Sequence, residues 1–265
     1  EMESLGAEHL IHSRFGSAVL GNDPGRGSPV PEAAVVGEPT GNRIALGHKG
    51  LEWLQIAFHG RSAHGGTSHA CINAIAAAAR FLALVEEDLL PRFETRRHPL
   101  LGPPSWNAGT IHGGDQPSTV AAECTLVVDR RSVPGESFAS LTEELRELLR
   151  VVEAERPGLT TTLSRVPGGM ATMEHAPLLT APEHPLARAA VAACRAVHDE
   201  SGPFCAFPAW TDGALLASAG GVPTIVLGPG DLSFAHSARE AVAVAQIEEA
   251  ARIYAALALA YCGGD

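Results

Sequence analysis

Residues 33–40 read AAVVGEPT, a short apolar run that ends abruptly at Gly-Glu-Pro. An uninterrupted apolar strand is typical of a parallel sheet that is covered on both faces. In α/β folds, active sites lie just past the carboxyl ends of such strands, which is the position of Glu38 here. The stretch therefore predicts an α/β domain, with Glu38 at the edge of a candidate site.

The same α/β character returns near the end of the chain. A helical pattern, HPLARAAVAACRAVHDE, covers residues 184–200. The apolar strand GVPTIVLGPG at residues 221–230 ends in a Gly-Pro-Gly turn, and QIEEAARIYAALALAYC at 246–262 predicts a terminal helix. We therefore assign residues 1–50 and 166–265 to one discontinuous domain.

Between these parts, residues 51–165 follow a βαββαβ order, which predicts an inserted α+β module of the ferredoxin-like type. Its four strands should form an antiparallel sheet with two helices on one face. The other sheet face or an edge strand is expected to serve dimer contact. The helix residues expected to face the sheet are Ile75, Leu82, Leu141 and Leu148.

Composition excludes several classes of partner. The net charge of −11 argues against nucleic acid and anionic membranes. No apolar run reaches the roughly 18–20 residues that a membrane-spanning helix needs. The five cysteines form no CxxC pair, and their odd number and scatter favour reduced thiols in a cytoplasmic protein.

Three residues have the chemistry of metal ligands. Glu1 and Glu38 offer carboxylates and His236 offers an imidazole, which suit zinc or a similar cation. Two such cations about 3.5–4 Å apart can activate water and polarise a carbonyl together. Each residue also has a simpler interpretation: Glu1 as an acid at a helix start, Glu38 as a cap of the turn before Pro39, and His236 as an ordinary loop histidine.

Motifs spread over the whole chain resemble, in order, those of the dinuclear zinc amidohydrolase and exopeptidase family. That family includes acetylornithine deacetylase, succinyl-diaminopimelate desuccinylase, aminoacylase and glutamate carboxypeptidase. The resemblance implies an incomplete three-layer, zinc-exopeptidase-like catalytic domain with an inserted dimerisation or lid domain. The matching segments are EMESLGA at 1–7, VVGEPTG at 35–41, GRSAH at 60–64, IHGGDQPSTV at 111–120, DRRSVPGE at 129–136 and AHSARE at 235–240.

By this resemblance Glu1, Glu38 and His236 inherit the roles of metal ligands. The complete enzyme would hold two zinc ions, with cobalt or manganese as alternatives. The family's general base and its other metal ligands would lie upstream of Glu1, so the chain is expected to be truncated at its N-terminus and inactive alone.

The resemblance also assigns residues to the substrate. His64 would reach the active site of a dimer partner and stabilise the tetrahedral oxyanion, the alternative being a surface turn histidine. Arg131 would bind the substrate carboxylate, because a guanidinium fork takes a carboxylate bidentately. Its neighbour Arg130 should point to the opposite strand face, towards solvent or into a salt bridge. Ser118 stands where the family usually has an asparagine that contacts substrate.

Two further residues complete the candidate site. Gly228 would let the backbone come close to the substrate. Asp212 would hold a histidine or an ammonium group, with a simple Asx-turn as the alternative.

Taken together, these features predict metal-dependent hydrolysis of an amide bond in an N-acyl amino acid or small peptide by a homodimer. A second hypothesis, from a different class, is a non-catalytic, dimer-forming remnant that only binds a ligand or partner. The absence of the upstream ligands from this sequence supports that second hypothesis.

Overall fold

A computed structural model describes residues 31–168, 174–198 and 202–263, with only the backbone described at 68–70. Glu1, and with it the predicted first metal ligand, lies outside the described residues. The chain divides into two compact units. Among the described residues, an inserted unit lies within Leu51–Glu174, and a flanking unit comprises residues 31–50 and those from His175 onward. The two are described separately below.

The described elements are as follows in chain order. The strands are β1 Ala34–Val36, β2 Ala45–His48, β3 Glu52–His59, β4 Ser105–Gly113, β5 Glu123–Arg131, β6 Thr160–Arg165, β7 Leu178–Leu179, β8 Cys205–Ala206 and β9 Thr224–Val226. The α-helices are α1 Ala74–Leu84, α2 Leu90–Thr95, α3 Phe138–Glu155, α4 Pro185–Val197, α5 Gly213–Ser218 and α6 Val244–Cys262. A π-helical turn, Val85–Leu89, joins α1 to α2, and 3₁₀ turns cover Gly65–Ala70 and Leu232–Phe234. Within the described ranges, no helix has the length and apolarity that crossing a membrane requires.

The flanking unit is built on a five-stranded sheet in the order β1-β9-β2-β7, with β8 also paired to β2. Strands β1 and β9 are parallel, with Ala34 opposite Thr224 and Val36 opposite Val226. Strand β2, however, is antiparallel to both β9 and β7. The sheet is therefore mixed, which corrects the expectation of a purely parallel one.

The loops that follow β1 and β9 are in backbone contact. The carbonyl oxygen of Gly228 accepts the N–H groups of Thr40 (3.2 Å) and Asn42 (2.8 Å). A Cβ atom added to Gly228 would lie 2.7 Å from the carbonyl oxygen of Glu38. No side chain fits in that space, so glycine at this position allows the loop carrying Glu38 to approach the end of β9.

The inserted unit confirms the predicted βαββαβ fold. Its sheet has the order β4-β5-β3-β6, and every neighbouring pair is antiparallel. Alternate residues of β3 and β5 are buried, as expected for a sheet with helices on one face. Asn73 caps α1 by accepting the N–H of Ala76 (3.0 Å), and Ser137 forms a capping box with Ser140 at the start of α3.

The helix faces match the prediction with one exception. Leu141 and Leu148 of α3 are buried, and Leu82 packs against the core cluster. Ile75 was expected to face the sheet but is 42% exposed, because α1 buries Ala74 and Phe81 instead. Its alanine-rich sequence offers several apolar stripes, and the pattern alone does not select one.

Arg130 is one of the largest fully buried side chains, with 1% of its surface exposed. Its Nη2 lies 2.7 Å from Glu136 Oε1, and its guanidinium carbon lies 4.3 Å above the ring of Phe93. Burial lowers the pKa of the Arg130 guanidinium, and the carboxylate of Glu136 opposes that shift. Of the two placements expected for Arg130, the salt bridge is therefore correct and the solvent-facing position is wrong.

Replacing Arg130 by alanine should destabilise the protein by about 3–5 kcal/mol, because it removes the fully buried partner of Glu136, whose carboxylate keeps only the more exposed Arg96. Arg97→Ala is the matched control. Its ion pair with Glu94 is more than half exposed on both sides, and such pairs contribute about 0–1 kcal/mol. Denaturant unfolding measures both variants. Equal losses would mean that the Arg130 pair does not support the fold.

The contact at Gly228 yields a second stability prediction. Gly228→Ala should cost about 1–3 kcal/mol, because the added methyl group forces the Glu38 loop away from the end of β9. Gly202→Ala is the control, since a Cβ at Gly202 meets no atom within 4 Å. Unfolding free energies that are the same for both variants would contradict the close approach described here.

Candidate functional site

A cavity of about 310 Å³ opens in the flanking unit at the carboxyl ends of β1 and β9. Its wall includes two of the predicted metal ligands, Glu38 and His236, although the entire inserted unit separates them in sequence. The predicted substrate residue Asp212 lines the same cavity. The remaining wall includes Trp210, Thr211 and Leu232.

His236 lies in a loop of unusual backbone geometry. Its φ angle is +58°, and among the described non-glycine residues Asn42 alone shares a positive φ. The N–H of His236 donates to Glu240 Oε2 at 2.7 Å, which closes the AHSARE segment on itself. Left-handed backbone at a non-glycine residue persists only where its surroundings hold it, and it concentrates at functional sites.

The 3₁₀ turn before His236 is anchored in the same way. The Asp231 carboxylate accepts the N–H of Ser233 at 2.8 Å and so caps the turn Leu232–Phe234. This backbone hydrogen bond lowers the pKa of Asp231, because it stabilises the ionised form. The hydroxyl of Ser237 donates to the carbonyl oxygen of Phe234 at 2.7 Å. Hydrogen bonds thus hold the loop both before and after His236 in the chain.

The cavity has the donor chemistry of a divalent metal site. Glu38 and Asp212 provide carboxylate oxygens and His236 provides imidazole nitrogen, the groups that zinc prefers. Among the described residues, however, no three or more such side chains are already grouped closely enough to hold an ion. The residue types at the cavity therefore fit a divalent metal ion, and their arrangement in the structure does not by itself form a three-ligand group.

The inserted unit places two other predicted residues next to each other. His64 forms an isolated β-bridge with Thr119, and the N–H of Gly65 donates to the carbonyl oxygen of Ser118 at 2.8 Å. His64 Nδ1 accepts the N–H of Gly66 at 3.1 Å. In the neutral ring, Nε2 therefore carries the proton and is a hydrogen-bond donor.

Arg131 lies on the sheet face opposite the helices, where β5 residues alternate with the buried ones. Its Nε and Nη2 bind the carboxylate of Asp129 at 2.7 and 2.8 Å. Trp53 Nε1 donates to the same carboxylate at 3.0 Å. Asp129 thus takes one edge of the guanidinium fork, and the edge formed by Nη1 and Nη2 is the one left to face a ligand.

Our sequence reasoning missed several residues of these sites. Asp129 stands two positions before Arg131 on a strand, and that spacing alone indicates a shared sheet face. Trp210 and Thr211 gave no comparable signal, because their importance comes from neighbours distant in sequence. Gly228 was expected to let the backbone approach substrate, and backbone atoms of Gly37 and Glu38 fill the space that a Cβ at this position would occupy.

Comparison with known proteins agrees with the architecture. Residues 46–157 match the family model of a peptidase dimerisation domain. The chain is 30% identical over 243 residues to an acetylornithine deacetylase of Aliivibrio fischeri strain MJ11, covering 88% of this chain and 58% of that protein. An acetylornithine deacetylase of Vibrio cholerae is 28% identical, and the match likewise covers 88% of this chain and 58% of that protein. The chain thus spans somewhat more than half the length of these relatives.

Solved structures show the same fold. An aminopeptidase PepT from Bacillus cereus ATCC 10987 superimposes with a TM-score of 0.72 at 16% identity, covering 96% of this chain and 62% of that one. Human carnosine dipeptidase 1 superimposes with a TM-score of 0.63 at 16% identity, and the match covers 99% of this chain and 63% of that one. The ordered motifs, the ferredoxin-like insertion and these likenesses all agree. The chain is therefore similar, over most of its length, to amidohydrolases and exopeptidases of the M20 family.

Proposed function

We propose that the natural protein containing this chain hydrolyses the amide bond of an N-acyl amino acid or small peptide in a metal-dependent reaction. The observation that carries the proposal is the meeting of Glu38 and His236 in one cavity, from loops far apart in sequence. The names of the relatives support amide hydrolysis, since acetylornithine deacetylase removes an acyl group from an amino acid. A cavity of about 310 Å³ suits a small substrate.

Glu38 and His236 are the described residues that would hold the metal, and Glu1 remains a predicted ligand outside the described residues. Asp212, which lines the same cavity, remains a proposed substrate residue. Two zinc ions are our first choice, with cobalt or manganese as alternatives. A bound divalent ion supplies Lewis acidity that polarises the substrate carbonyl. Gly228 serves this arrangement indirectly, because its missing side chain lets the Glu38 loop reach the sheet edge.

His64 is proposed as the donor that stabilises the developing oxyanion. The role requires a proton on the outward-facing ring nitrogen, and the hydrogen bond from Gly66 N–H to Nδ1 directs the proton to Nε2. Two consecutive glycines, Gly65 and Gly66, follow His64, and the N–H of Gly65 donates to the carbonyl oxygen of Ser118.

Arg131 is proposed to bind the substrate carboxylate, and Ser118, of the same unit, is proposed to donate its hydroxyl to a substrate oxygen. Asp129 holds the guanidinium by two hydrogen bonds, so its orientation is set before a ligand arrives. The Nη1 and Nη2 edge can still take a carboxylate bidentately.

The inserted unit is proposed to form a homodimer, as the matched dimerisation domain suggests. Strand β4 is an edge strand whose residues from Asn107 to Gly113 are exposed, and edge strands present unpaired backbone groups. The five cysteines are free thiols, which supports our proposal of a reducing, cytoplasmic setting.

Substitution of either proposed ligand should impair metal binding and catalysis together. Glu38→Gln and His236→Gln in the natural protein should each weaken divalent-ion affinity and lower kcat/KM by roughly 100-fold or more, since even residues that only support a ligand cost about 10–100-fold. Calorimetric titration with zinc and an N-acetyl amino acid assay measure the two effects. His59→Gln, on the inserted sheet, is the control. Full activity in both ligand variants would refute the proposed site.

Substitution of Arg131 should affect substrate binding selectively. Arg131→Ala should raise KM for substrates that end in a carboxylate by roughly 30-fold or more, because a charged bidentate contact of about 2–3 kcal/mol is lost. Amide-capped substrates should be affected little. Arg97→Ala removes an exposed arginine of the same unit and should leave KM unchanged. An equal rise in KM for carboxylate and capped substrates would remove Arg131 from the site.

A further inference from the structure

The last residue of β2, His48, has none of its surface exposed, and both of its ring nitrogens have partners within the flanking unit. Nδ1 lies 2.8 Å from the carbonyl oxygen of Lys49. Because a carbonyl oxygen only accepts hydrogen bonds, Nδ1 carries the proton. In the neutral ring, Nε2 is therefore an acceptor, and this hydrogen bond fixes the tautomer.

Thr211 provides two donors to that acceptor. Its backbone nitrogen lies 3.1 Å from His48 Nε2, and its hydroxyl oxygen lies 3.0 Å away. The hydroxyl oxygen also accepts the N–H of Gly213 at 3.2 Å, so the hydroxyl proton is left to point at the ring. Thr211 itself is only 4% exposed. Every donor and acceptor in this buried network thus has one consistent role.

Asp212 lies between the two residues that the network holds. Its backbone is helical, with φ −56° and ψ −16°, and it precedes the first residue of α5. Its side chain does not cap that helix, and it lines the cavity that also contains Glu38 and His236. The backbone on both sides of Asp212 is therefore held by the hydrogen bonds of Thr211.

Aromatic packing supports the same segment from the other side. The ring of Trp210 meets His48 edge-on, with centroids 6.1 Å apart, and meets His175 at 4.8 Å. Trp210 Nε1 donates to the carbonyl oxygen of Ala176 at 3.1 Å. Since Trp210 also lines the cavity, the buried imidazole of His48 contacts two consecutive residues of the cavity wall.

We propose that His48 is a positioning residue of the candidate site, which acts by holding the Thr211–Gly213 turn so that Asp212 faces the cavity. The effect on catalysis follows only if the proposed function is correct. The positioning of the turn by His48 follows from the hydrogen bonds alone. His48 touches neither substrate nor metal in this scheme. Its contribution passes through the backbone of Thr211 to the carboxylate of Asp212.

The geometric part is tested by nuclear magnetic resonance of the ¹⁵N-labelled natural protein. The His48 ring should show the tautomer protonated at Nδ1, and the Thr211 amide should exchange slowly with solvent. His48→Leu should speed that exchange by about tenfold, the effect of losing one buried hydrogen bond. His48→Gln should retain most of the protection, because its side-chain oxygen can replace Nε2 as acceptor. Protonation at Nε2, or unchanged exchange in His48→Leu, would overturn the proposal.

The catalytic part is tested by a double-mutant cycle on kcat/KM with His48→Leu, Asp212→Asn and the combined variant. If His48 acts through Asp212, the double variant should lose no more activity than the more impaired single variant. If the double variant instead loses activity by the product of the two single-variant factors, His48 acts independently of Asp212 in a merely structural role, and the proposal is overturned. Thr211→Val breaks the hydroxyl link while keeping His48, and it replaces His48→Leu in the cycle if that variant fails to fold.

A failure of the proposed function and a failure of the positioning role would give different experimental results. An unsubstituted natural protein without amidohydrolase activity would refute the proposed function, and the tautomer and amide exchange would still decide whether His48 holds the turn. A protein that is active but shows multiplying losses would keep the proposed function and lose the positioning role.

Discussion

The parallel pairing of Ala34–Val36 with Thr224–Val226 is the constraint on which the candidate site depends. It joins two segments that are almost 200 positions apart and makes both strands end at the same edge of the sheet. Beyond the strands the pairing continues as a backbone contact between Gly228 and the Glu38 loop, which only glycine permits. Glu38 and His236 can therefore line one cavity although neither has a signal in the sequence that points to the other.

In the inserted unit, the two faces of one sheet differ in their chemistry. Consecutive arginines of β5 illustrate it: Arg130 is buried with Glu136 beneath the helices, and Arg131 lies on the opposite face with Asp129. Because successive side chains of a strand point to opposite faces, Arg130 supports the fold on one face, and Arg131 has its proposed substrate role on the other. The open face and the exposed edge strand β4 are what the unit offers to partners.

Local patterns predicted the inserted fold well, and they failed where tertiary contacts decide. The alternation in LEWLQIAFHG and the serine before α3 indicate a strand and a helix start without help from the rest of the chain. Strands β7 and β8 have two residues each and no period to detect, and β2 pairs antiparallel with β7 and parallel with β8. Ile75 was misjudged, and the sequence left the salt bridge and the solvent-facing position of Arg130 undecided, because neighbours in space, absent from the local pattern, set the burial of both residues. His48 and Thr211 escaped notice for the same reason.

A crystal structure of the natural protein grown with zinc, with anomalous diffraction recorded at the zinc absorption edge, would reveal whether Glu38 and His236 bind a metal ion together. We expect an anomalous peak within about 2.0–2.2 Å of a carboxylate oxygen of Glu38 and of a ring nitrogen of His236. Zinc bound elsewhere on the protein, with Glu38 and His236 making no contact to it, would show that this cavity is not the metal site.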